Sequence, residues 1–179
     1  MPSIFSHAAF AYSIGSLTSI KKQKFKFFFL LILSSIVPDF DVVSFKLGIS
    51  YQEILGHRGI THSIFFSIIL GFIFSLFIKT EFYKEKIFVA LVFSLGCLSH
   101  AFLDSFTNGG LGVCWFCPFE SKRYFFDFRP IQVSPIGKNF FSQRGLEVIL
   151  SELKWVWIPS FLILILGYIK NRFSISKNK

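Results

Sequence analysis

Residues 87–104 read IFVALVFSLGCLSHAFLD, and this stretch decides how the rest of the chain is read. An apolar run from Ile87 to Leu103 ends on His100 and Asp104, which stand at i and i+4. On a helix that spacing puts both side chains on one face, within reach of one cation. An ionisable pair at the end of an apolar helix is costly unless it is paired or ligating. The stretch therefore speaks both for a membrane helix and for a metal site; a plain His–Asp pair capping the helix end is the alternative.

The same apolar character recurs at Ile4–Ile20, Phe25–Pro38, Ser63–Ile78 and Trp155–Ile169. The chain has 179 residues, 53% hydrophobic and 27 of them Phe, with a mean hydropathy of +0.59. Phenylalanines bunched as Phe27, Phe28 and Phe29 are an aggregation hazard in water and are solvated by a bilayer. The expected fold is all-α: one domain over residues 1–179, polytopic, with about five short transmembrane or membrane-embedded helices and a long outer loop before the last. The runs are short against the roughly 20 residues of a straight span, so they borrow flanking residues or sit in thinned bilayer. A soluble bundle of unusually apolar helices is the competing architecture. MPSIFSHAAF lacks a basic leader and a small-residue cleavage site, so the first segment is expected to be retained; the tail SISKNK is expected to fray.

Lys and Arg exceed Asp and Glu by 19 to 10, a balance that raises a nucleic-acid reading. Their positions argue against that partner. The gaps Lys21–Lys26 and Lys79–Lys86 and the tail from Lys170 hold 11 of the 19. Concentrated in alternate short gaps, they mark the cytoplasmic side and contacts with membrane lipids. The longer connections, Asp39–His62 and Asp104–Lys154, then face outward. With an outer N-terminus, the candidate ligands fall near the outer ends of their segments: His7, Asp39, Asp41, His57, His62, His100 and Asp104.

In GHRGITHS, His57 and His62 are five apart and need a turn to converge; Gly59 permits the bend, and Thr61 or Ser63 can cap the helix that follows. Two surface loop histidines are the alternative. In PDFD, Pro38 is expected to close the preceding helix and the carboxylates of Asp39 and Asp41 to alternate along an extended stretch, as ligands, bridges or support behind a histidine; solvated loop acids are the plainer possibility. His7 stands alone in SHAAF, where a terminal histidine is often incidental, but the chain has only 4 histidines. Arg58, with Lys122, Arg123, Arg129 and Arg144, can hold an anionic substrate group or merely meet head groups. Glu152 is a further candidate base or bridging ligand. Cys114 and Cys117 form CWFC, a possible disulfide staple in an oxidising compartment. Nothing in the sequence sets an oligomeric state.

SHAAF, PDFD, GHRGITHS and SHAFLD, followed by NGG, PF, RPIQVSPIG and SELKW, give the chain a resemblance to the YdjM-like family, described as LexA-binding, inner-membrane-associated, metal-dependent hydrolases. HRGxTH followed by SHxxLD is its specific part, and the match covers most of the chain. The resemblance implies a membrane hydrolase of the bacterial inner membrane, with His7, Asp39, His57, His62, His100 and Asp104 binding metal or serving catalysis. A fainter similarity to zinc-dependent phospholipase C and P1-type nucleases points to phosphoesters by analogy. The expectation is one or more Zn²⁺ ions, or another divalent metal, activating water against an ester or phosphoester of a lipid-like or anionic substrate, with Asp41, Glu152 and Arg58 assisting. A non-catalytic membrane protein using the same residues for sensing, transport or folding is the rival.

Overall fold

The computed structural model describes residues 1–20, 22–135 and 137–176, and within these the fold is helical. The end of the tail expected to fray, residues 177–179, lies outside the described residues. α1 (Ile4–Ser16) leads to α2 (Lys24–Ile36), which continues through a 3₁₀ segment (Val37–Val42) into short α3 (Val43–Lys46). A loop and a 3₁₀ turn (Ile60–His62) precede α4 (Ile64–Ser75), which pairs with α5 (Tyr83–Ser105). After the outer connection, α6 (Gln143–Glu152) passes through a π segment (Leu153–Trp157) into α7 (Ile158–Ser176).

Lys24–Lys46, Tyr83–Ser105 and Gln143–Phe173 are long and apolar enough to cross a membrane. At 23 residues, the first two reach about 35 Å, against a hydrocarbon core of about 30 Å. α1 and α4, of 13 and 12 residues, reach only about 18–20 Å. They bury their small and polar faces against longer neighbours, which is how short helices are held in a bilayer where the hydrophobic effect offers no help between helices.

Two expectations change here. Pro38 does close α2, which ends at Ile36, but no extended stretch follows: Pro38 falls in the first turn of the 3₁₀ segment, where its missing N–H is no loss, and the chain tightens instead. The last helix begins at Gln143, not near Trp155, because α6 is amphipathic. Its buried residues Gly145, Val148 and Glu152 lie on one stripe, while Arg144 and Glu147 pair on the exposed side.

Close approach is set by glycine and serine. A Cβ at Gly71 of α4 would overlap the Ser94 hydroxyl and the Ala90 carbonyl oxygen of α5. Phe27 of α2 stacks on Phe93 of α5 at 5.2 Å, and Ala11, Leu31, Val89 and Val92 complete that core. The outer connection is irregular, tied by single bridges Thr107–Ile131 and Val113–Tyr124 and by a Cys114–Cys117 disulfide. The disulfide is the staple that the spacing had left open.

Candidate metal centre

One helix and two 3₁₀ turns converge at one end of the bundle. α5 supplies His100 and Asp104, the 3₁₀ turn after α2 supplies Asp39, and the turn before α4 supplies His62. One ligand atom from each lies within 4.8 Å of all the others, and all four residues are buried. His100 Nε2 is 3.2 Å from Asp39 Oδ1, and His62 Nε2 is 3.5 Å from Asp104 Oδ2. His62 to Asp39 and His100 to Asp104 are each 4.0 Å. Bonds of about 2.0–2.1 Å in a tetrahedron put ligand atoms roughly 3.3 Å apart, so a small inward adjustment suits a zinc-type cation.

The orientation of each ring favours a cation over a ring-to-carboxylate hydrogen bond. His100 Nδ1 is 2.7 Å from the Ser35 carbonyl oxygen, which only accepts, so Nδ1 carries the proton and the neutral ring presents its Nε2 lone pair to the cluster. His62 likewise directs Nδ1 toward Asp41 Oδ2 at 3.2 Å. The Nε2 atoms of His7, His62 and His100, together with Asp39 Oδ1 and both Asp104 oxygens, are buried without a hydrogen-bond partner. Buried polar atoms are rarely left unpaired; apart from Ser44 Oγ and Arg58 Nε, the latter in ion-pair contact with Asp104 Oδ2 at 2.8 Å, those here are ring nitrogens and carboxylate oxygens that could ligate a cation. Charge leads to the same place: the buried side chains of Asp39, Asp41 and Asp104 gather here, and the fixed cations beside them are Arg58, 2.8 Å from Asp104 Oδ2, and the Met1 ammonium, 4.0 Å from Asp104 Oδ1, so a bound cation would help to offset the remaining negative charge.

His7 lies beside this group. Its ring stacks on His100 at 3.7 Å, its Nε2 is 3.6 Å from Asp104 Oδ1, and Nδ1 is also unpartnered. Asp104 therefore faces His62 and His100 through Oδ2 and His7 through Oδ1, the geometry of a bridging carboxylate.

Asp41 takes a supporting position. In a 3₁₀ helix, residues i and i+2 point about 120° apart, so while Asp39 turns into the cluster, Asp41 turns behind it. It accepts from His57 Nδ1 at 2.6 Å, Thr61 Oγ1 at 2.6 Å and the Arg58 backbone N–H at 3.0 Å. His57 stands outside the four-residue group, its ring against Tyr51 at 5.3 Å. The sharp turn between the histidines falls on Arg58, with φ of 60°. Gly59 is needed for clearance, since a Cβ there would overlap the Ile54 carbonyl oxygen. Ser63, not Thr61, caps α4 by accepting from Phe66 N–H.

The arginines and Glu152 are spent differently from the sequence reading. Arg58 Nε is 2.8 Å from Asp104 Oδ2, and its terminal nitrogens donate to the Gly109 carbonyl and Thr107 Oγ1. Gly110, at φ 86°, lets the NGG turn fold over that guanidinium. Arg123 donates to the carbonyls of Tyr51, Glu53 and His57 and so ties the ligand loop to the outer connection. Arg144 pairs with Glu147, Arg129 lies over Phe125 and Lys122 over Tyr124. Glu152 does not join the metal group: it accepts from Ser3 N–H, Ser3 Oγ and Ser6 Oγ at the start of α1. That contact spans almost the whole chain, which is why local spacing gave no sign of it.

Burial opposes a charge on His62, but the carboxylates of Asp104 and Asp41, 3.5 and 3.2 Å from its ring nitrogens, outweigh it, raising the pKa from 6.5 to about 9. Without a cation the ring holds a proton at neutral pH, and a ligating role requires that this proton leave.

Residues 1–174 match the family described as YdjM inner membrane protein. The chain is 36% identical over 166 residues to the inner membrane protein YbcI of Escherichia coli (strain K12), covering 92% of this chain and 95% of that protein. No solved structure matches.

Proposed function

We propose a function from one premise: this chain belongs to the YdjM inner membrane protein family. It is a helical protein of the inner membrane, and in our reading a metal-dependent hydrolase whose centre sits near the outer face. The observation that carries this reading is the convergence of unpartnered, buried ring nitrogens and carboxylate oxygens from separate elements. The outer placement draws support from the lysines gathered at the opposite ends of the helices and from the Cys114–Cys117 disulfide, which belongs to an oxidising compartment.

Asp39, His62, His100 and Asp104 would hold a zinc-type cation, and His7 with Asp104 Oδ1 offers a place for a second. A cation of this kind supplies Lewis acidity for activating water against an ester or phosphoester. The chain's own groups do the rest. Ser35 and Asp41 fix the ring orientations, and Arg58 offsets the negative charge. His57, held by Asp41 beside the cluster, is placed to take and return a proton. The substrate class we favour is a lipid-like or anionic ester.

A second reading, a non-catalytic metal site serving folding, sensing or transport, is favoured by closure: no residue of the group of four is more than 8% exposed. One experiment separates the two. Purified full-length protein is assayed for bound metal and for EDTA-sensitive cleavage of phosphodiester and carboxylester reporters. Stoichiometric metal with cleavage supports the hydrolase, metal without cleavage supports the second reading, and protein that takes up no divalent metal refutes both.

A further inference from the structure

Three cavities that share lining residues form one trough, running from the first turns of α1, beside the candidate metal centre, to the opposite end of the bundle. α1 packs against both α2 and α7, and between those two helices it forms a floor. The apolar reach, about 410 Å³, lies over Ala8, Ala9 and Tyr12, with Ile32 on one wall and Phe161 and Leu164 on the other. Through Tyr12 and Leu164 it continues into a cavity of about 480 Å³ that ends on Ser16, Ser19, Lys24 and Asn171. Through Thr18, Ser19 and Ile20 this meets a third cavity, about 610 Å³, whose charged lining is Lys22, Lys79, Lys170, Glu81 and Glu85.

The trough is therefore apolar at one end and cationic at the other. Four lysines face two glutamates, and one of those glutamates, Glu81, is already engaged with Lys22. Lys170 donates to the Leu17 carbonyl, and Lys24 has no carboxylate partner among the described residues. From Trp157, the last residue of the π segment, to Asn171 on α7 the length is about 21 Å, enough for a chain rising from the inner interface past the midplane of a core about 30 Å thick. A partner helix, about 10 Å across, would need an apolar slot throughout, whereas this trough opens into charged cavities where lipid head groups lie.

We propose that this trough binds one anionic phospholipid of the inner leaflet, with an acyl chain over Ala8 and Ala9 and its phosphate at Lys24, beside Ser19 and Asn171, which bond to each other. The site is separate from the metal centre, although both use α1: His7 faces the cluster and the next two residues line the trough.

The test is native mass spectrometry of the full chain, purified in mild detergent and incubated with phosphatidylglycerol or phosphatidylcholine. One phosphatidylglycerol per chain is expected, retained at least about tenfold over phosphatidylcholine. Lys24→Glu should abolish the preference, and Ala9→Leu or Ile32→Trp, which fill the apolar reach, should reduce retention of both lipids. Equal retention of the two lipids overturns the proposal. So does unchanged retention in Lys24→Glu, or a dimer of this chain that excludes lipid from the trough.

Discussion

The two ends of this bundle use charge in opposite ways. At the inner end, Lys22 and Glu81 form an ion pair with side chains 79% and 65% exposed. At the outer end, Arg58 and Asp104 pair at 1% and 0% exposure, surrounded by imidazoles whose inward nitrogens have no partner. Water and counterions screen the first pair, so it adds little. The second has been taken out of water, where charges persist only if fully compensated. The difference marks the candidate site: unpaired polar atoms collect where the chain has already met the cost of desolvating them.

The strongest way to break this contrast is Asp104→Asn. It leaves Arg58 buried without its counter-charge, and we expect a loss of about 3–5 kcal/mol, read as a lower unfolding midpoint and poor recovery from the membrane. Asp104→Leu combined with Arg58→Met should restore much of the stability without restoring metal, separating the ion pair from the ligand role. Next in size, His100→Ala removes a ligand whose tautomer is fixed by Ser35, and elemental analysis should find bound metal largely lost. Undiminished metal in that variant would remove His100 from the centre.

Asp41→Asn tests the supporting position. It should weaken metal affinity by about 10–100-fold, measured by competition with a chromophoric chelator, while the fold survives. A smaller effect comes from His62. Its pKa is raised to about 9 by Asp104 and Asp41, so the metal-free ring is protonated below that pH and the bound ring is not. Uptake must then release a proton, and apparent affinity should fall by about tenfold per pH unit on going down from pH 9; a flat profile would contradict the assignment. Least of all, Lys22→Ala should leave the thermal midpoint unchanged within error.

Much of the centre was legible because helical spacing is local information. His100 and Asp104 at i and i+4 could be placed on one face without tertiary knowledge, and HRGITH announced a turn. The division of labour between Asp39 as ligand and Asp41 as an assisting group was read in outline, but its cause was not legible, because it depends on a 3₁₀ twist where proline suggested extension. Nor was the role of the Ser35 carbonyl, since a backbone acceptor leaves no mark in residue identity. Arg58 and Glu152 were read as free groups because their partners, Asp104 and Ser3, are brought near only by the packed bundle. In the fold, the apolar runs were visible, but the start of the last helix was hidden by the mixed composition of α6.

The glycine contact between α4 and α5 has a mechanical consequence. With Gly71 seated against Ser94 and Ala90, the hairpin is pinned against sliding, and a slip of one residue would carry His62 about 1.5 Å past His100, most of a coordination bond length. Where the bilayer changes thickness, the hairpin is expected to hold its register and the strain to fall on the last helix, only 22% buried. The spacing of the candidate ligands would thereby be insulated from the physical state of the membrane around it.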